Sequence, residues 1–105
     1  MNQIPSFILD QQEAVHRLCM KLSISELCVF GSAIRADFNP QESDLDFLVA
    51  FEDPEAPGIS DRYFSLADGL EQIFQCPVDL ITRQSIKNRI FLETVNSTSQ
   101  PLYAA

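Results

Sequence analysis

Two hydrophobic periodicities follow one another along the first half of this chain. Apolar residues at helical spacing predict an amphipathic helix over residues 6–22, and a short apolar run predicts a strand over residues 26–30. The glycine and serine after that strand predict a short helix over 32–35, and Asn39-Pro40 predicts a loop over 37–42. Residues 44–51 alternate at first and then become continuously apolar, which is typical of a strand buried on both faces at its far end.

The second half repeats the same order of elements. A loop over residues 52–58 precedes a helix predicted over 60–74, with Ser60 or Asp61 as its N-terminal cap. A strand follows over 77–81, then a helix over 84–95, and the last five residues form a short edge strand. We expect Phe91 of the last helix to pack into the core, with a dimer or partner contact as the alternative. The fold class is therefore α+β, an α/β sandwich in one domain over residues 1–105, with a small mixed sheet and helices mainly on one face.

Charge and composition exclude several classes of function. The chain of 105 residues carries 7 basic and 15 acidic residues, a formal net charge of −8. Binding to nucleic acid and to anionic membranes depends on Lys and Arg, so neither is expected as a main partner. No apolar run approaches the ~20 residues of a transmembrane helix, and the N-terminus does not have the pattern of a signal peptide.

The cysteine and histidine content argues against thiol and triad chemistry. Cys19, Cys28 and Cys76 are odd in number and lack the spacing of a zinc site, so we interpret them as buried thiols in a reducing cytoplasm. His16 is the only histidine, which weakens any mechanism that pairs a serine or cysteine nucleophile with histidine. We assign His16 no catalytic role.

The first candidate functional feature is Gly31-Ser32, at the junction of the first strand and the short helix. A glycine allows a ligand to approach the backbone, and a helix N-terminus offers unpaired N–H donors to an anion. Alone, this pair is also compatible with an ordinary turn between a strand and a helix.

The second feature is a set of three acids. Asp44 and Asp46 are two residues apart at the start of a strand, so their side chains point to the same face, where like charges repel unless a divalent cation lies between them. Asp79 is the only charge in the apolar strand 77–81. If that strand lies beside residues 44–51, three carboxylates can bracket two Mg²⁺ ions, the arrangement used for phosphoryl and nucleotidyl transfer.

These motifs together resemble a known superfamily. The chain resembles the DNA polymerase β nucleotidyltransferases, and among them the stand-alone minimal nucleotidyltransferases, in Phe30-Gly31-Ser32, Arg35, Ser43-Asp44-Leu45-Asp46 and Asp79. The sequence departs from the common pattern in a connecting loop longer by one residue and in Ala36, where glycine is frequent.

The resemblance implies a role for each matching residue. Gly31 and Ser32 would bind the triphosphate, and Arg35 would contact phosphate. Asp44 and Asp46 would hold the metal ions. Asp79 would hold the second ion and activate the attacking hydroxyl.

The resemblance also implies a reaction and a partner. The reaction would be Mg²⁺-dependent transfer of AMP from ATP to an acceptor hydroxyl. The partner would be a HEPN-family toxin encoded nearby, with this chain as its antitoxin. Two alternatives stay open: a catalytically silent module that neutralises its partner by contact alone, and an antibiotic-type enzyme acting on a small alcohol. Homo-oligomerisation is also left open.

Overall fold

The computed structural model describes residues 4–31 and 44–105. The helices are α1 (Ser6–Leu9), α2 (Gln12–Lys21), α3 (Ile59–Phe74) and α4 (Arg89–Thr98), and a 3₁₀ turn spans Arg83–Ser85. The strands are β1 (Ile24–Phe30), β2 (Leu45–Phe51), β3 (Val78–Thr82) and β4 (Gln100–Ala104). The short helix predicted over 32–35 and the loop predicted over 37–42 lie outside the described residues.

The four strands form one mixed sheet in the order β3-β2-β1-β4. The β2–β3 pair is parallel, whereas β1 pairs antiparallel with both β2 and β4. The parallel pair is possible because α3 carries the chain from the end of β2 back to the start of β3. The predicted fold class, α+β with a small mixed sheet, is confirmed.

Alternation along β2 separates the two faces of the sheet. Leu45, Phe47 and Val49 point into the main core, where they meet buried residues of α1, α2 and α3. Phe47 stacks on Phe74 of α3 with ring centroids 5.9 Å apart. Leu48 points to the opposite face and belongs to a smaller cluster with residues of β1 and α4. Among the helices of residues 4–31 and 44–105, α1, α2 and α3 therefore cover one face, as predicted, and α4 packs on the other.

Several predicted element boundaries differ from the structure; β1, for example, begins at Ile24 rather than at Glu26. The helix predicted over 6–22 is divided at Asp10 and Gln11, and neither residue is a glycine or proline that would signal the break. The last helix begins at Arg89 rather than at 84, because the side chain of Asn88 accepts a hydrogen bond from Phe91 N and caps the helix there. Gly58 precedes α3 with a φ of +87°, so neither Ser60 nor Asp61 caps that helix.

The prediction for Phe91 was wrong. Its side chain is 44% exposed and its neighbour Ile90 is 76% exposed. Val95, one turn further along α4, is the buried residue of this helix. The sheet therefore accommodates only the C-terminal half of the apolar stripe of α4.

Side chains occupy both outer edges of the sheet. At the β3 edge, the Tyr63 hydroxyl donates to Leu80 O at 2.5 Å and the Glu71 carboxylate accepts from Val78 N at 3.1 Å. At the β4 edge, His16 Nε2 lies 3.0 Å from Leu102 O, in position to donate. These contacts leave fewer backbone groups available for pairing with another strand.

None of the helices within residues 4–31 and 44–105 is long and apolar enough to cross a membrane.

Candidate active site

The candidate site begins where β1 ends, at Gly31. This residue has a φ of +73°, a conformation that residues with a Cβ rarely adopt. A Cβ built on Gly31 would collide with Oδ2 of Asp46 and would lie 3.1 Å from its Cγ. The positive φ therefore favours glycine at this position, and the Asp46 carboxylate would have to move if residue 31 had a side chain.

Asp46 occupies the middle of a row of side chains that crosses three strands. In the sheet register it is opposite Phe30 on β1 and opposite Asp79 on β3. Because opposite residues in a sheet point to the same face, all three side chains share the face that carries Leu48. Phe30 is buried, Asp46 is partly buried and Asp79 is exposed.

The parallel pairing places the two acids on neighbouring strands, whose spacing is about 4.8 Å. In the part of the chain that the structure describes, no hydrogen bond or ion pair reaches the Asp79 carboxylate. Like charges directly opposite one another destabilise a sheet unless a cation offsets them. Asp46 and Asp79 therefore form a pair of carboxylates at the outer edge of the sheet, where their oxygens could bind a cation.

Asp44 lies just before β2 and is exposed. The start of β2 is fixed to the turn before β3 because Leu45 N donates to Pro77 O at 3.0 Å. The Asp44 carboxylate lies near Cys76 of that turn. The pKa of the Cys76 thiol is raised first by burial and then by the negative charges of Asp44 and Glu71.

The donor set fits a hard divalent cation. Carboxylate oxygens are the ligands that Mg²⁺ prefers in proteins, and a magnesium ion bound to a nucleotide is often held by only one or two of them. Asp46 and Asp79 supply two carboxylates on one face of the sheet. Asp44, two residues before Asp46, is a third carboxylate close by in the sequence. Within residues 4–31 and 44–105, no three His, Cys, Asp or Glu side chains are grouped closely enough to hold a metal ion by themselves.

Two of the predicted site residues, Ser32 and Arg35, lie outside the described residues. The structure describes Gly31, Asp44, Asp46 and Asp79, and of these it brings Gly31, Asp46 and Asp79 together across β1, β2 and β3.

Thiol chemistry is disfavoured by burial. Cys19, Cys28 and Cys76 are free and buried. Burial raises the pKa of Cys19 to about 12 and also raises the pKa of Cys28, so both thiols stay protonated at neutral pH. The interpretation of the cysteines as buried thiols is confirmed.

One positioning contact had no signal in the sequence. Arg83, just after β3, donates to Glu26 of β1 at 2.6 Å and to Asn96 of α4 at 2.5 Å. These contacts fasten α4 across the same face that carries Asp46 and Asp79. Arg83 and Glu26 are 57 residues apart in the chain, and only the paired strands bring them together.

The nucleotidyltransferase domain family matches residues 12–100 of this chain. The chain belongs to this family. The resemblance inferred from the glycine-serine and Asp-x-Asp motifs is confirmed.

Individual relatives agree with that membership. The chain is 34% identical over 70 residues to protein adenylyltransferase MntA of Thermococcus cleftensis. The aligned stretch covers 67% of each of the two chains. It is 38% identical over 68 residues to a protein of Methanocaldococcus jannaschii that carries the provisional name protein adenylyltransferase, covering 65% of this chain and 66% of that one. The match thus spans about two thirds of the length of these relatives.

Solved structures share the fold. A chain provisionally described as a minimal nucleotidyltransferase superimposes with a TM-score of 0.75 at 29% identity, covering 90% of this chain and 91% of that one. The toxin–antitoxin complex MntA–HepT contains a chain with the same fold, with a TM-score of 0.62 at 18% identity, covering 92% of this chain and 73% of that one.

Proposed function

We propose that this protein is a nucleotidyltransferase that transfers AMP from ATP to a hydroxyl group of a partner protein. The observation that carries the proposal is that Gly31, Asp46 and Asp79 lie together at one end of three adjacent strands. An ordinary strand has no need for two carboxylates opposite one another, nor for a glycine that makes room for one of them. A metal-bound nucleotide gives both features a purpose.

In this proposal the first two acids share one task. Asp44 and Asp46 hold the metal-bound triphosphate against the end of β1, where Gly31 lets phosphate approach the backbone. Ser32 and Arg35 bind the phosphates, as the sequence predicts. Bound Mg²⁺, as one or two ions, supplies positive charge to the phosphates and to the departing pyrophosphate.

Asp79 has two tasks: it would hold the second metal ion, and it prepares the acceptor. Its carboxylate accepts the proton of the acceptor hydroxyl, whose oxygen forms a bond to the α-phosphorus while the bond from that phosphorus to pyrophosphate breaks. Its exposure suits this task, because an acceptor on another protein must reach it from solvent.

The proposed acceptor is a HEPN-family toxin, and this chain is then its antitoxin in the cytoplasm. Two relatives that bear the name protein adenylyltransferase support the reaction. The fold is also that of chains in MntA–HepT complexes and in a toxin–antitoxin structure with AMP-PNP, which supports the partner class and ATP as substrate. The net charge of −8 suits the antitoxin role, because a protein that cuts RNA presents positive charge to its substrate.

The proposal is tested by incubating the protein with ATP labelled at the α-phosphate, Mg²⁺ and the product of the neighbouring toxin gene. We expect the parent to transfer label to the toxin. Asp46→Asn and Asp79→Asn should each transfer at least about 100-fold less label, and the parent should transfer none when a chelator removes Mg²⁺. Glu55→Gln removes one negative charge in the loop after β2, away from the site, and is the matched control.

A distinct result would contradict the proposal. If no label is transferred and Asp46→Asn neutralises the toxin as well as the parent does, the protein acts by contact alone. Turnover of small alcohols but not of the toxin would instead favour the antibiotic-type reaction.

A further inference from the structure

The edge strand β3 is held by side chains of α3 on either side of Asp79. β3 is at one end of the strand order, and β2 pairs with its inner side. On its outer side, Val78 N donates to the Glu71 carboxylate at 3.1 Å, and Leu80 O accepts from the Tyr63 hydroxyl at 2.5 Å. Val78 and Leu80 are the residues immediately before and after Asp79. Helix α3 therefore supplies, next to Asp79, contacts that another strand would otherwise make.

The course of α3 accounts for both contacts. Tyr63 and Glu71 are about two turns apart, so both can reach the same side of the helix. The earlier residue of α3, Tyr63, binds the later residue of β3, and Glu71 binds the earlier one. This order is expected because α3 returns the chain from the end of β2 to the start of the parallel strand β3.

Asp79 lies on a strand that is easily displaced. β3 has five residues, and in its pairing with β2 Asp79 is opposite Asp46. Like charges opposite one another destabilise a sheet. A short edge strand also opens more readily than a central one, because fewer of its backbone groups are bound. Asp79 is the proposed site residue whose place depends most on the contacts that hold β3.

We propose that Tyr63 and Glu71 are positioning residues that hold Asp79 opposite Asp46. They act through the backbone of β3 and not on the nucleotide or the metal ions. The inference rests on the proposed function, in which Asp79 holds the second metal ion and accepts the proton of the acceptor hydroxyl. Its carboxylate must then be placed closely, because a displacement of about 1 Å in an active site can cost about 100-fold in rate.

The two contacts should affect the chemical step more than the binding of ATP. In the proposed function, ATP is held by Gly31, Asp44 and Asp46, and none of these is on β3. A less closely held Asp79 should therefore lower kcat and leave KM for ATP within about 2-fold of the parent's value. Both constants are measured at a temperature where circular dichroism shows that every variant is folded.

Two variants remove the contacts one at a time. Tyr63→Phe keeps the ring and removes the donor to Leu80 O, and Glu71→Met keeps the length of the side chain and removes the acceptor for Val78 N. A lost hydrogen bond shifts the balance between held and displaced β3 by about 2–10-fold. We expect each variant to lower kcat by about 3–10-fold and the double variant to lower it further.

Glu71→Gln separates the hydrogen bond from the charge. The negative charge of Glu71 also reaches the turn before β3, where burial, Asp44 and then Glu71 raise the pKa of the Cys76 thiol. Glutamine removes the charge and keeps an oxygen that can accept from Val78 N. Its kcat should therefore stay within about 2-fold of the parent's, and a loss as large as that of Glu71→Met overturns the role of this hydrogen bond.

His16→Phe is the matched control at the other edge of the sheet. His16 Nε2 is 3.0 Å from Leu102 O of β4, so this variant also keeps a ring and removes a contact to an edge strand. None of the proposed site residues is on β4. Its kcat and KM should equal those of the parent.

Hydrogen exchange measures the holding of β3 without depending on transfer. The amides of residues 79–82 should exchange about 2–10-fold faster in Tyr63→Phe and Glu71→Met than in the parent, relative to the amides of β1. His16→Phe should leave the relative exchange of residues 79–82 unchanged. The comparison with β1 separates opening of β3 from a loss of stability in the whole domain.

Three results overturn the proposal. The first is unchanged exchange of residues 79–82 in Tyr63→Phe and Glu71→Met. The second is a kcat equal to the parent's in both folded variants, and the third is an equal loss of kcat in His16→Phe. A parent that transfers no label is instead a failure of the proposed function, and hydrogen exchange then decides alone whether Tyr63 and Glu71 hold β3.

Discussion

Replacing Asp79 with asparagine is expected to stabilise the protein when no metal is present. The carboxylates of Asp46 and Asp79 are on opposite positions of neighbouring parallel strands. At about 5 Å, two unit charges repel by about 0.8 kcal/mol in water and by about 3 kcal/mol at an effective dielectric constant of 20. Asp79 is exposed, so the lower figure is closer. Like charges directly opposite one another on neighbouring strands are destabilising, which gives the same sign. An asparagine has almost the same shape and removes this repulsion.

The assay is thermal unfolding, first in a chelator and then with about 10 mM Mg²⁺. In the chelator, Asp79→Asn should raise Tm by about 2–6 °C, because about 1 kcal/mol corresponds to about 4–8 °C in a domain of this size. A site with a Kd of about 1 mM would stabilise the parent by about 1.4 kcal/mol at that Mg²⁺ concentration, and the variant by less than about 0.4 kcal/mol. The difference in Tm between Asp79→Asn and the parent should therefore become smaller or change sign when Mg²⁺ is added.

The control is Glu55→Gln, which makes the same change in net charge in the loop after β2. We expect its stability to stay within about 0.5 kcal/mol of the parent and its response to Mg²⁺ to be unchanged. The reasoning is refuted if Asp79→Asn lowers Tm in the chelator, or if Mg²⁺ stabilises parent and variant equally.

Three further changes test other parts of the structure. Gly31→Ala should lower the free energy of unfolding by about 2–4 kcal/mol, because it meets both a positive φ and the Asp46 carboxylate. Gly58 also has a positive φ, but an added Cβ there would meet open space. Urea denaturation of Gly58→Ala should therefore show a loss of only about 1–2 kcal/mol. If Gly31→Ala and Gly58→Ala lose the same free energy of unfolding, the contact between residue 31 and the Asp46 carboxylate has no cost. Tyr63→Phe should cost about 0.5–1.5 kcal/mol in the same assay by removing the hydrogen bond to the edge of β3; no loss would mean that this bond is not formed in solution. Burial raises the pKa of Cys19 from 9.0 to about 12, so the unfolded chain loses this proton first and the free energy of unfolding should fall as pH rises above about 9. Cys19→Ala should show a smaller fall between pH values of about 8 and 11, and an identical fall would contradict the raised pKa.

The sequence predicted the parts of the fold that depend on local pattern. The alternating and then continuous apolar residues of β2 predicted a strand covered on both faces at its far end. Its place between β1 and β3 depends on the strand order, which the pattern does not encode. The lone acid in the apolar strand β3 pointed to Asp79 as a site residue. Its register opposite Asp46 followed once β3 was placed beside β2.

Features that depend on distant contacts were not predictable in the same way. The start of α4 depends on a capping bond from the Asn88 side chain, a residue that the apolar periodicity ignores. Phe91 fits the apolar stripe of α4 as well as Val95 does, but only the width of the sheet decides which of them is covered. The link from Arg83 to Glu26 likewise depends on the strand order, and no spacing along the chain encodes it.

The central claim is that Asp46 and Asp79 bind the same metal-bound nucleotide. The most direct measurement is a crystal structure with Mn²⁺ in place of Mg²⁺ and a non-hydrolysable ATP analogue, with the manganese located by its anomalous scattering. We predict a manganese peak on the sheet face that carries Phe30 and Leu48, within about 2–2.5 Å of a carboxylate oxygen of Asp46 or Asp79, with the triphosphate against Gly31. A nucleotide and manganese bound elsewhere on the protein, with neither carboxylate in contact, would contradict the account.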